Sequence, residues 1–149
     1  MRAKTTDDKI VKHISQCSYI EKEAIAKRLK QFKHINSQSK HSREEAKFNR
    51  FTERTGEDMH DIYPYINVML QDVNNVKEVS IKDGGKKVRV LMKSKFVIHG
   101  KKDFYLFFVV SLDKGNLVTV IPVPATNPNH KEKIQPHYSN TFNVAEYLV

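Results

Sequence analysis

The sequence predicts an α+β fold in which N-terminal helices pack on a four-stranded antiparallel meander. Three observations predict it. Apolar residues recur at helical spacing up to about residue 73, the period shortens to two from Val76 onward, and the alternating segments are divided by short turns rich in Gly, Asp and Asn. Helices segregated along the chain from an antiparallel sheet define the α+β class. The 149 residues suit one domain. Its helical part spans about 6–74, its sheet about 76–124, and residues 125–149 form a loosely structured tail.

Ser18 followed by Glu21 fits a capping box, in which hydroxyl and carboxylate satisfy the open N–H groups of a helix start. Ile20, Ala24, Leu29, Phe32 and Ile35 follow at helical spacing, so a helix is predicted at about 19–36. A second box, Ser42 with Glu45, starts a helix that ends at Gly56, a residue suited to the left-handed cap. On it Arg43, Lys47, Arg50 and Arg54 fall at i, i+4, i+7 and i+11, giving one wholly basic face. A third helix is predicted from Glu57 to about Val73, with Met59, Ile62, Ile66, Met69, Leu70 and Val73 as its core stripe. Pro64 lies inside it, so the helix either kinks there or restarts there after a turn.

The strands follow in order. VKEVSIKD, then Asp83-Gly84-Gly85, then KKVRVLMKSKFVIH reads as a hairpin with a Gly-rich turn. Alternation sends Val88, Val90 and Met92 to one face and Arg89, Leu91, Lys93 and Lys95 to the other. FYLFFVVSL is apolar on both faces, as a central strand requires. A turn at Asp113-Lys114-Gly115-Asn116 leads into LVTVIPVP, where Pro122 marks an edge or a strand end. The closing FNVAEYLV is expected to dock as a short helix or strand.

Composition excludes several classes. The apolar run Tyr105–Val110 is far short of the roughly 18 residues of a membrane span. The N-terminus lacks the apolar block of a secretory signal, so a cytoplasmic location is expected. The single Cys17 excludes an internal disulfide framework and a Cys-rich zinc site. No phosphate loop, dinucleotide fingerprint, serine-hydrolase elbow or HExxH helix is present, and no cofactor or metal is expected.

The formal net charge is +9, unevenly spread. Residues 24–43 hold six basic residues and no acid, and Lys86–Lys102 hold seven and no acid. Two basic blocks on separate elements point to a polyanionic partner. The side chains on offer are His, Arg, Lys and Tyr. They suffice for metal-independent cleavage of RNA by its own 2′-hydroxyl, which needs a base, cations at the phosphoryl group and an acid for the leaving oxygen. Imidazole suits the proton transfers and guanidinium the phosphate.

AKFNRFTERTG (46–56), followed by EDMHDIYPYINVML and the basic-faced meander, resembles the RelE-type ribonucleases and their RegB-like phage relatives. In the resembling helix a histidine and two arginines recur every four residues. Arg50 and Arg54 match the arginines, Ala46 stands at the histidine position, and His41 lies five residues upstream. The resemblance implies an endoribonuclease acting on single-stranded RNA, with Arg50 and Arg54 on the scissile phosphate and His41 or His99 moving protons. Arg43, Lys47, Arg89, Lys93 and Lys95 are the expected RNA-binding cations. Tyr105 and the His137-Tyr138 pair are weaker candidates for base stacking or for completing the site, and His60 is read as structural. Two alternatives stand beside this reading. One is a non-catalytic nucleic-acid-binding or regulatory protein, which Ala46 favours. The other is a phage-type inhibitor that grips an acidic host protein through the same basic surface, and the expected protein partners are accordingly an acidic protein or an antitoxin.

Overall fold

The computed structural model describes residues 9–31, 59–95, 97–99, 102–126, 138–139 and 141–148, with the side chains of 59–63 left aside. Its strands are β1 (Ile10–His13), β2 (Val76–Lys82), β3 (Lys87–Lys93), β4 (Phe104–Ser111) and β5 (Asn116–Pro124). Its α-helices are α1 (Tyr19–Gln31) and α2 (Met59–Met69). The strands form one antiparallel sheet in the order β1-β2-β3-β4-β5, so the fold is α+β.

The sheet therefore has five strands where the sequence predicts four. The added strand, IVKH, lies in a stretch read as part of the helical half. It is only four residues long, and it sends Lys12 to the core side of the sheet, opposite Val79. A charged residue at a core position breaks the alternation by which a short strand is recognised. The structure resolves the charge locally. Lys12 Nζ donates to both carboxylate oxygens of Glu21, at 2.9 and 2.8 Å, and to the Phe142 carbonyl at 2.9 Å. Glu21 also accepts the backbone N–H groups of Ser18 and Val144, each at 2.8 Å. One buried ion pair thus joins β1, α1 and the C-terminal segment.

The Ser18–Glu21 box forms as expected, with Glu21 N–H donating to Ser18 Oγ at 3.2 Å. Helix α1 buries Ile25 and Leu29, whereas Ile20, expected on the apolar stripe, is exposed because the box carboxylate points inward instead. Residues 32–36 of the expected helix, and the whole helix expected from Ser42 to Gly56, lie outside the described residues. Helix α2 runs through Pro64 and buries Ile66 and Met69, with Leu70 just beyond. Arg28 fastens α1 to the sheet side, donating to the carbonyls of Leu112 at 3.4 Å and Leu148 at 3.2 Å.

One sheet face makes the core. Val79, Ile81, Val88, Val90, Met92, Leu106, Phe108, Val110 and Leu117 pack there with the two helices and with Val144. Each such burial contributes about 1.5–3 kcal/mol of hydrophobic stabilisation. Val144–Tyr147 forms a short 3-10 turn, and this segment docks on α1, as expected of FNVAEYLV. Ser139 N–H donates to the Val11 carbonyl at 2.7 Å, adding a backbone bond to the β1 edge. Among the described residues, no helix is long and apolar enough to cross a membrane.

Candidate functional site

The second face of the sheet carries the chemistry. Strand registers align Val11, Ser80, Arg89 and Ser111 in one row across β1 to β4. The next row is His13, Glu78, Leu91, Val109 and Thr119. A hollow of about 700 Å³ lies over this part of the face. Lys9, Lys82, Lys87, Arg89 and Lys114 line it, with Leu91, Val109 and Ile121 supplying apolar floor. Glu78 is the one carboxylate among its described lining residues.

Two β-bulges border this hollow. In β2 the register shifts between Val76 and Glu78, so Lys77 is the extra residue. Residues 76 and 78 would otherwise share a face. The bulge leaves Val76 in the core and turns Glu78 to the second face. In β4–β5 the register shifts between Val109 and Val110, which makes Val118 the extra residue and brings it into the lining. Bulges bend the strand, raise its twist and re-aim side chains beside functional sites.

Arg89 lines this hollow. Its Nε is closed off from solvent and has no hydrogen-bond partner among the described residues. A buried donor left unpaired costs about 1–3 kcal/mol, so the position favours an incoming acceptor. Lys87 is 3.2 Å from Asp83 across the hairpin turn, a partly exposed pair that adds little to stability. Among the described residues Glu78 pairs with no lysine. It accepts a short hydrogen bond from the Tyr138 hydroxyl. Burial, helped by the Glu78 carboxylate, pushes the Tyr138 hydroxyl well above its ordinary value, so it stays protonated and remains a donor. His13 stands beside them, its ring 5.5 Å from that of Tyr138. Its Nδ1 is 2.8 Å from Ser15 Oγ, while Nε2 is buried without a partner among the described residues.

The other expected residues distribute as follows. Arg89 is in the hollow. Lys93 shares its strand face but is buried, its Nζ 4.6 Å from the Tyr105 ring centroid and 5.7 Å from that of Phe107. Tyr105 is accordingly occupied by a protein cation. Lys95 does not share that face. The strand ends at Lys93, and Lys95 turns to Asp72, with Nζ to Oδ2 at 2.5 Å. The lysine hydrogen bond and the Asn74 N–H hold the Asp72 carboxyl below the usual carboxylate range. His99 is likewise not at a strand end. It follows an isolated bridge between Ile98 and Phe104, and its exposed Nδ1 is 3.1 Å from Asp103 Oδ1. Arg89 pairs with Ser111 and Ile98 with Phe104, at opposite ends of β4. Seven residues of strand separate them by roughly 23 Å. Arg89 and His99 therefore do not share one reaction centre. His41, Arg43, Lys47, Arg50 and Arg54 lie outside the described residues.

Sequence reading named Tyr138 only as a residue that completes the site if the tail folds back, and it missed Glu78, Lys9, Lys82, Lys87 and Lys114. Lys87 and Arg89 share a period-two face within the basic block, a signal that could have extended the cation row to Lys87. Glu78 gave no such signal, because the bulge that turns it outward has no mark in VKEVSIK. Comparison with known protein families, curated proteins and solved structures finds no match for this chain.

Proposed function

We propose that the protein is a metal-independent endoribonuclease that takes single-stranded RNA on the second face of its sheet. The observation that carries this reading is the cation-lined hollow, whose lining includes Arg89 with an Nε that has no partner among the described residues. Five cations against one carboxylate make it a seat for a phosphodiester backbone. A guanidinium with open donors is the group best shaped to clamp a phosphoryl oxygen as charge builds on it. The apolar floor of Leu91, Val109 and Ile121 offers surface for unpaired bases, as proteins that bind single strands commonly provide. Glu78 gives the hollow an acceptor for a hydroxyl, and the 2′-hydroxyl is what distinguishes RNA from DNA. The layout of helices leading into an antiparallel meander with one basic face supports kinship with RelE-type nucleases, and a cytoplasmic site of action accords with that substrate.

The second reading is a non-catalytic RNA-binding protein. It is favoured by the roughly 23 Å between His99 and Arg89, which separates the one described histidine of the expected set from the phosphate seat. Incubation of labelled RNA and its DNA counterpart in excess EDTA decides between them. Cleavage of RNA alone, leaving a 2′,3′-cyclic phosphate, supports the nuclease. RNA bound but uncut selects the second reading.

A further inference from the structure

We infer that Glu78 is the group that takes the 2′-hydroxyl proton, and that Tyr138 positions it for that step. The inference rests on the ribonuclease reading above and adds a residue that the histidine-centred expectation did not contain.

Placement comes first. Glu78 is opposite Leu91 and Arg89 is opposite Ser80, so Glu78 and Arg89 are diagonal neighbours on one face. Diagonal positions in an antiparallel pair lie about 7–8 Å apart at the backbone. That spacing lets a carboxylate and a guanidinium flank one phosphodiester instead of merely pairing with each other. The β2 bulge is what puts Glu78 there, since strict alternation from Val76 would bury it in the core.

Chemistry comes second. A carboxylate among five cations would ordinarily serve as a counter-ion, yet the partner of Glu78 is the neutral Tyr138 hydroxyl at Oε2. That donor fixes the orientation of one carboxylate oxygen. The step balances without a metal. The 2′ O–H bond breaks as its proton passes to Glu78, and the 2′ oxygen forms a bond to phosphorus. The bond from phosphorus to the 5′ oxygen breaks, and the departing oxygen takes a proton from water. The proton held on Glu78 then neutralises the hydroxide left behind. Arg89 stabilises the added charge on the phosphoryl oxygens throughout.

The test uses the full chain with a single-stranded RNA, and with the same oligonucleotide carrying one 2′-deoxy sugar at the cleaved position. Glu78→Gln keeps an acceptor for Tyr138 and removes the base. The expected result is a loss of cleavage by about 100-fold or more, with affinity for the 2′-deoxy oligonucleotide unchanged or tighter. Tyr138→Phe is the gentler variant. Its kcat should fall while KM is unchanged, a split that a merely structural tyrosine would not cause. Cleavage by Glu78→Gln within about threefold of wild type overturns the assignment of Glu78 and leaves the ribonuclease reading standing. Failure of the wild-type protein to cut any RNA that it binds overturns both. Loss of binding and cleavage together in Glu78→Gln, with kcat unmoved in Tyr138→Phe, makes the residue structural and also overturns the assignment.

Discussion

Lys12 and Glu21 show how much one pair of residues can organise. Both are nearly inaccessible to solvent, at 4% and 3% exposure. Removing one partner of a buried ion pair strands the other charge and commonly costs about 3–5 kcal/mol. Lys12→Met should therefore destabilise the fold by about 3 kcal/mol, lowering Tm by roughly 6–12 °C in a chain of this size. A melting curve displaced by less than about 2 °C would contradict that account. The pair also sets an acid limit. Burial opposes the charge on Glu21, but the Lys12 ammonium and the Ser18 and Val144 N–H groups outweigh it and hold the carboxyl below its ordinary 4.5. The folded protein thus binds that proton less readily than the unfolded chain. The stabilisation is complete above the ordinary value and is lost as pH falls through the depressed one. In Lys12→Met the loss of stability on acidification should be shallower, measured by denaturant melts from pH 6 downward. Cys17 stands in the same neighbourhood, and burial, with the Glu21 carboxylate beside it, pushes its thiol up to about 11. It is a packing residue of the core.

Elements explain which parts of the fold were legible. Helix α1, the β2–β3 hairpin and the central β4 follow from caps, glycines and periodicity that are local in the chain. The turn at Asp83–Gly85 is a clear case, with φ of 55°, 65° and 102° at Asp83, Gly84 and Gly85. Gly85 is also a docking point, because a Cβ there would sit 2.7 Å from the Tyr147 ring. Gly85→Ala should cost about 1–3 kcal/mol from backbone strain alone, plus whatever the ring must yield. Unchanged stability by denaturant titration would contradict it. What was not legible depends on distant partners. Strand β1 exists because Lys12 finds Glu21 and Phe142, and nothing within IVKH announces them. Lys95 left the sheet because Asp72 lies within reach. Arg28, one of the cations in the basic block of residues 24–43, is spent on carbonyls of Leu112 and Leu148. Charge counts place cations in a segment, and only tertiary contacts decide which of them face a partner.

At the scale of the whole molecule, the described cations include some engaged by the fold's own groups and others gathered around a hollow. Lys12, Arg28, Lys93 and Lys95 belong to the first group. Lys9, Lys82, Lys87, Arg89 and Lys114 come from two strands, a turn and the N-terminal approach, and the order of the sheet brings them together. The sequence reading found Arg89 among these five, and His99, which it expected to move protons, lies at the other end of β4. The two-faced sheet is what links stability to function, with one face filled by helices and the other lined with charge. The account stands or falls on whether that second face grips RNA. The direct measurement is the salt dependence of single-stranded RNA affinity for wild type and Arg89→Ala. Each phosphate neutralised on a single strand contributes about −0.7 to the slope of log K against log salt, so five cations allow a slope up to about −3.5. The account predicts a steep wild-type slope. Arg89→Ala should bind about tenfold more weakly, with the slope reduced by about 0.7. A slope near zero, or an Arg89→Ala titration that overlays the wild type, would contradict it.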